Sequence, residues 1–439
     1  MHRSGSPFRV LPRLAAGLAV GTLVLAGCSS GHGAEGGSSA SNELTVWFPG
    51  NNQAEIDLVK GPIAKRFQDE TGAKLNITFV DWGDISTKLN TAFAAGTAPD
   101  LFGHGPAAAA DFVANDRLES LDKYVDTLDA ADKKDLAAAL PGGQVDGHQY
   151  LVPLSMQGSL LIYDADDFKK AGLDPGAPPK TWEEVKAAAE KLTVRKDGRI
   201  TRAGLLLPSQ AIGRQQTFAS LLASDGGQQL DDSGKPAVDS DAGVKALGFF
   251  RSLYDGAGAV STNLGADYVN APPQQQPIVT DQAAMELQSS AGAVQIAKAD
   301  PKLDLRVMDA VPFAGQAKGQ VVGGAGPGLM MNADSKHKDL AWKFISYMVS
   351  PETSNQYAQG VGQIPTRASA SSSAYVKQSP ILQAFVRNAG SFFPNPNVPG
   401  WVQARDQLDK QLEQSLKGGT DPAKALGDAS KAMQSVLAR

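Results

Sequence analysis

Asp81 and Asp84 form the one tempting local pair of carboxylates, and glycoside hydrolysis is the reaction that two placed carboxyl groups would serve. Asp84, however, stands directly before Ile85, Leu89 and Phe93, where capping a helix is the simpler use of its oxygens. The five histidines, His2, His32, His104, His148 and His337, are far apart and offer no local metal-ligand spacing. No Walker-type glycine loop is present to cradle a phosphate. The chain therefore reads as a non-enzyme, with no cofactor and no metal. What it does hold is polar chemistry suited to binding. Pro49–Asn52, Asp81–Asp84, Gly103–Gly105 and Ser155-Met156-Gln157-Gly158 are all rich in hydrogen-bonding groups or glycine.

Those segments lie where regular elements end. Leu44–Phe48 reads as a strand running into Pro49-Gly50-Asn51-Asn52. Ile56, Val59, Ile63 and Phe67 follow at helical spacing, with Gly61-Pro62 set to kink or split the helix. Leu75, Ile77 and Phe79 alternate as a strand, Ile85, Leu89 and Phe93 mark a helix, and Pro99–Phe102 begins a third strand. This order predicts an α/β layer with a mainly parallel sheet, whose ligands sit beyond the carboxyl ends of its strands. Leu160–Tyr163 is apolar at every position, as in a strand buried on both faces. Asp164 and the capping box Thr181-Trp182-Glu183-Glu184 open the two helices after it. Ser155–Gly158, just before that strand, is expected to be where the chain crosses between two lobes, with a ligand beside it. Further on, Gly323–Gly328 precedes an apolar Leu329-Met330-Met331, and Lys338–Val349 is a strong helix.

The N-terminus points to export. Arg3, Arg9 and Arg13 precede an apolar run from Leu14 to Ala26, which is short for a membrane-spanning helix. Leu25-Ala26-Gly27-Cys28 resembles a lipoprotein cleavage box, and Cys28 is the only cysteine, so no intramolecular disulfide is available. A signal peptide over 1–27, a Ser/Gly tether over 28–42 and a lipid on Cys28 are expected, placing the protein on the outer face of the bacterial cell membrane. Net charge is −5; removing Met1–Gly27 takes away three arginines and no acid, leaving −8. A mildly acidic body without basic runs argues against nucleic acid as a partner.

The segments FQDETGAKLNITFVDWGD with AAGTAPDLF, VPLSMQGSLLIYDADDFKKAGLD with PKTWEEVKAAAEKLT, AAMELQ, and GGAGPGLMMNADSKHKDLAWKFISYMVSPETSNQYAQGVGQIPTRAS resemble, in this order, the carbohydrate-binding solute-binding proteins of bacterial ABC importers. The resemblance covers essentially the whole mature chain. It implies a periplasmic-binding-type α/β fold with two lobes, 43–153 plus 316–348 and 154–315 plus 349–439, closing on a sugar like a hinged trap. It also implies a monomer that delivers its ligand to permease subunits.

By the same resemblance Asn51 and Asn52 are ligand positions, with helix capping as the other reading. Trp82 would be a stacking platform or ordinary packing, and His104 a ligand group or part of a structural turn. Gln157 matches an acidic sugar ligand of some relatives, and its amide suits a neutral polyol. Ser290 lies just before a position where many relatives carry tryptophan and this chain has Ala291; Ala325 likewise replaces an aromatic. Phe392 could offer an aromatic face from the second lobe. Gln363 and Arg367 flank Ile364-Pro365, and Arg367 would bind an acidic group or pair with a carboxylate. The alternative ligand, a phosphorylated metabolite such as a glycerophosphodiester, depends on Arg367.

Overall fold

A computed structural model describes residues 42–437, so Cys28, the signal segment and nearly all of the tether lie outside the described residues. The first strands are β1 (Glu43–Pro49), β2 (Lys74–Val80) and β3 (Leu101–His104). A small hairpin of β4 (Gln144–Val145) and β5 (His148–Gln149) precedes β6 (Leu151–Pro153). β7 (Met156–Asp164) follows at once, and β8 (Val194–Lys196) pairs with β9 (Arg199–Arg202) in a second hairpin. The remainder are β10 (Met285–Ser289), β11 (Leu305–Val307), β12 (Val321–Ala325), β13 (Gly328–Met331) and β14 (Phe392–Phe393).

Two larger mixed sheets organise the molecule, each backed by helices as an α/β layer. One runs β2-β1-β3-β13-β6 and the other β10-β7-β12-β14, with β11 also on β7. β1 is parallel to β2 and β3, as the strand–helix alternation requires, whereas β13 returns antiparallel to β3 and β6. Leu44, Val46 and Phe48 drive one face of β1 into the first core, where Phe67 meets Phe344 edge-on at 5.1 Å. The Gly61-Pro62 break is present: helices Gln53–Leu58 and Ala64–Thr71 flank a widened turn in which Gly61 leaves helical geometry. In β7, Leu161 and Tyr163 enter a core with Phe218 and Trp401, while Leu160 and Ile162 enter another with Ile296 and Phe385. That double burial is why the strand is apolar throughout.

Local signals were partly redirected. Asp164 caps its helix by accepting the Asp166 N–H at 2.9 Å. Thr181 accepts the Glu184 N–H at 3.2 Å, but the Glu184 carboxylate returns to the Lys180 N–H rather than closing a reciprocal box. Asp84 makes no capping bond at all. Its carboxylate reaches Lys88 at 3.3 Å, one turn along.

The chain passes between the sheets three times, side by side. It leaves β6 for β7 through Leu154-Ser155, β12 for β13 through Gly326-Pro327, and the helix Pro351–Val361 for the second sheet's core through Gly362–Ile364. Leu154 N–H donates to Pro327 O at 3.0 Å, Gly326 N–H to Ser155 O at 2.8 Å, and Met156 N–H to Ile364 O at 2.8 Å. A Cβ on Gly326 would sit 2.8 Å from Ser155 O, so only glycine lets these strands approach. Two expectations are corrected here. Met156, Gln157 and Gly158 already pair with Ala325, Gly324 and Gly323, so the crossing is shorter than 155–158. Val321–Ala325 belongs to the second sheet and Pro351–Val361 packs on the first, because pairing and helix docking, not sequence proximity, assign them.

Glu286 of β10 is fully buried with no ion-pair partner among the described residues. Its carboxyl accepts the Ile278 N–H and, at 3.1 Å, Gln288 Nε2–H, and Gln288 also donates to Gln276 at 2.9 Å. Burial pushes the carboxyl up to about 7 from 4.5. Between those values the folded chain holds a proton that the unfolded chain has lost. Stability from this group is therefore full below pH 4.5 and lost as pH rises through 7. At about 1.4 kcal/mol per unit the swing is on the order of 3 kcal/mol. Urea unfolding from pH 4.5 to 7.5 is expected to show this decline in the wild type and a flatter profile in Glu286→Gln. Parallel profiles would refute the assignment.

Candidate functional site

The carboxyl ends of the first sheet's strands converge. Gly50 N–H donates to Val80 O at 2.7 Å, joining the ends of β1 and β2. Gly50 has φ +110°, and a Cβ there would lie 3.2 Å from Trp82 Nε1, so glycine is required twice over. Asn51 Nδ2 donates to Asp81 Oδ2 at 2.8 Å, and Asp81 Oδ1 accepts the Gly83 N–H at 2.9 Å. These bonds hold the turn that presents Trp82, whose indole is 42% exposed and stands edge-on to His104 with centroids 6.0 Å apart. His104 Nδ1 accepts the Gly105 N–H at 2.9 Å, which leaves Nε2–H to donate to Ser86 Oγ at 3.0 Å. Burial pushes this imidazole down to about 4, so it is neutral at physiological pH.

Beside the crossings lies a small open cavity, walled by Phe48, Trp82, Leu154, Pro327 and Tyr357, with Glu55 and Gln363 among its polar members. Glu55 lies in the first turn of Gln53–Leu58, a helix capped by Asn52 Oδ1 accepting the Ala54 N–H at 3.0 Å. Tyr357 reaches it from the helix Pro351–Val361 and donates its hydroxyl hydrogen to Glu55 Oε1. Burial raises the Glu55 carboxyl above its ordinary range, and the Tyr357 hydrogen bond partly opposes that. Gln363 Oε1 is buried with no donor in the protein. The wall thus offers a carboxyl, an amide side chain and an indole, and neither lysine nor arginine lines it.

Of the residues singled out from sequence, Trp82 and Gln363 line this cavity. Asn51 and His104 stand behind Trp82 and hold its turn, and Asn52 is occupied as the helix cap. Gln157 sits in β7 opposite Gly324, one residue past the hinge bond of Met156 and outside this wall. Ser290 is buried at the start of the helix Ser290–Ala299, and Ser289 is the residue that caps it. Phe392 packs over Gly158 in the second lobe, where a Cβ would be 2.5 Å from its ring. Arg367 is 3% exposed and holds Asp132 at 2.6 Å, Asp135 at 3.1 Å and Val349 O at 2.6 Å. Its donors face structural acceptors, not the cavity. Sequence reasoning missed Glu55 and Tyr357. Glu55 sits three residues after Asn52, a spacing that reads as capping, and its partner lies 302 positions away.

A family profile described as "Bacterial extracellular solute-binding protein" matches residues 51–355. The chain belongs to this family. It is 25% identical over 422 residues to the diacetylchitobiose binding protein DasA of Streptomyces coelicolor, covering 93% of this chain and 94% of that one. The sn-glycerol-3-phosphate-binding protein UgpB of Salmonella typhimurium is 24% identical over 412 residues, with coverage of 88% and 90%. Among solved structures, a solute-binding protein of Thermotoga lettingae bound with α-D-tagatose superposes with a TM-score of 0.78 at 25% identity, over 90% of this chain and 99% of that chain. This solute-binding protein is therefore an extracytoplasmic, two-lobed α/β molecule. Among the described residues no helix is long and apolar enough to cross a membrane.

Outside the hinge, the lobes also touch through the loop after β14. Asn397 Oδ1 accepts the Ala110 N–H at 3.1 Å, its Nδ2 donates to Gln144 O at 3.0 Å, and Gly400 N–H donates to Asp111 Oδ1 at 2.6 Å. Breaking the buried Arg367 cluster is expected to cost on the order of 3 kcal/mol of stability, because two carboxylates lose their partner. Arg367→Ala should lower the unfolding midpoint in urea while leaving ligand affinity within about twofold. An affinity loss restricted to acidic ligands would instead put Arg367 in the site.

Proposed function

We propose that this protein captures a sugar or short oligosaccharide in the cleft between its lobes and delivers it, by hinge closure, to the permease of an ABC importer. The observation that carries this reading is the cavity that the first lobe presents beside the three crossings, where the exposed Trp82 indole accompanies the Glu55 carboxyl and the Gln363 side chain. A sugar supplies the complement: hydroxyl donors for the acceptors and an apolar ring face for the indole. An analogue lacking the matching hydroxyl would leave a buried acceptor unpaired, at roughly 1–3 kcal/mol. The tagatose-bound and diacetylchitobiose-binding relatives support the same class of ligand.

Lobe one spans 43–153 with 327–363, and lobe two 156–325 with 364–437. Ligand contacts made by both lobes favour the closed form by the difference in affinity between closed and open states. The Asn397 contacts are among those that closure would make and opening would break. The protein acts as a monomer, and residues 1–27 are removed so that Cys28 carries a lipid anchor with 28–42 as tether. A phosphorylated ligand, as for UgpB, is the weaker reading: it needs a cation in the cleft, and Arg367 is committed to Asp132 and Asp135. A glycosidase is weaker still, since Asp81 serves Asn51 and Gly83 and Asp84 serves Lys88.

A thermal-shift screen over mono-, di- and oligosaccharides and glycerol 3-phosphate tests the function. A sugar should stabilise by about 2.7 kcal/mol at a hundredfold excess over Kd, compact the molecule in X-ray scattering, and lose about tenfold or more in affinity in Trp82→Ala. Stabilisation by glycerol 3-phosphate alone, or sugar binding without compaction, would sink the proposal. For the anchor, Cys28→Ser should move the protein from the membrane fraction to the soluble one; unchanged membrane retention would rule out lipid on Cys28.

A further inference from the structure

We propose that Glu55 makes this cavity selective for a sugar bearing a protonated amine over its neutral and its phosphorylated counterparts. The inference rests on the reading of the cavity as a sugar site and adds the charge of the ligand to it. Glu55 brings a carboxylate into a wall otherwise built from Phe48, Leu154, Pro327, the Trp82 indole and the Tyr357 ring. Tyr357 satisfies one of its oxygens; the other has no protein donor, and Glu55 joins no ion pair among the described residues. Lys60, five residues on, lies over the Phe79 ring at 5.8 Å. Arg367 is held by Asp132 and Asp135, and Arg66 by Glu70 and Glu352.

Removing a carboxylate from water is costly unless hydrogen bonds and an opposite charge replace the solvent. A hydroxyl replaces the hydrogen bond only. An ammonium group replaces both, with three donors for one site, and so serves the free oxygen of Glu55 beside the Gln363 side chain. A phosphate brings further negative charge and acceptor oxygens to the Glu55 carboxylate, and is disfavoured on both counts. The Tyr357 hydroxyl has a positioning role: by holding one oxygen, it fixes the direction in which the other faces the cavity.

The test is isothermal titration of the mature protein at pH 7 with glucose, glucosamine and glucose 6-phosphate, and with the β-1,4 dimers cellobiose and fully deacetylated chitobiose. The amino sugars are expected to bind about tenfold or more tighter than their neutral counterparts, and glucose 6-phosphate weakest. Glu55→Gln, which keeps size and hydrogen bonding, should abolish the amine preference while still binding the neutral sugars. Tyr357→Phe should retain the preference, since the carboxylate remains. Equal binding of amino and neutral sugars by the wild type overturns the inference and leaves the sugar reading intact. So does an amine preference that survives Glu55→Gln with an unchanged unfolding temperature. Failure of all these sugars and of the wider saccharide screen overturns both.

Discussion

Three backbone crossings, hydrogen-bonded to one another, are the constraint on which this molecule depends. Ser155, Gly326 and Ile364 bring together segments far apart in sequence, and each bond ties one passage between the sheets to the next. Extended segments joined only by such bonds can bend with small changes in φ and ψ, while the packed cores on either side cannot. Gly326 is the point where close approach leaves no room for a side chain, so the junction is specified sterically as well as by hydrogen bonding.

The cavity wall grows out of that junction. Leu154, Pro327 and Gln363 each lie at or next to a crossing and also line the cavity, so a ligand there touches the segments that must move. The remaining wall comes from strand ends of the first sheet, where Asn51 and Asp81 hold the Trp82 turn. Rigid residues thus present the indole, and hinge residues present the amide. This gives ligand contacts a direct means of favouring one arrangement of the lobes.

Much of the scaffold was legible in the chain because its causes are local. The alternation in β1 and β2, the Gly61-Pro62 break, the uniformly apolar Leu160–Tyr163 and the Asp164 cap each follow from residues a few positions apart. The meeting of polar strand ends was legible too, since a parallel sheet leaves its ligands little other choice. Asp84 shows the limit: it has a capping residue's identity and position, yet Lys88 takes its carboxylate.

The sequence by itself determined the first α/β layer, the order of its elements and a polar face at the ends of its strands, and its resemblance to a family implied the second. Tertiary structure decided who occupies that face. Glu55 becomes a cavity carboxylate only because Tyr357, 302 positions later, packs against its helix, and Arg367 is paired with Asp132 and Asp135. Gln157 lies within a strand ladder rather than at the cavity for the same reason. Short-range patterns encode element type through propensity and periodicity. Long-range pairings of single polar atoms leave no periodic trace, and those pairings define the site.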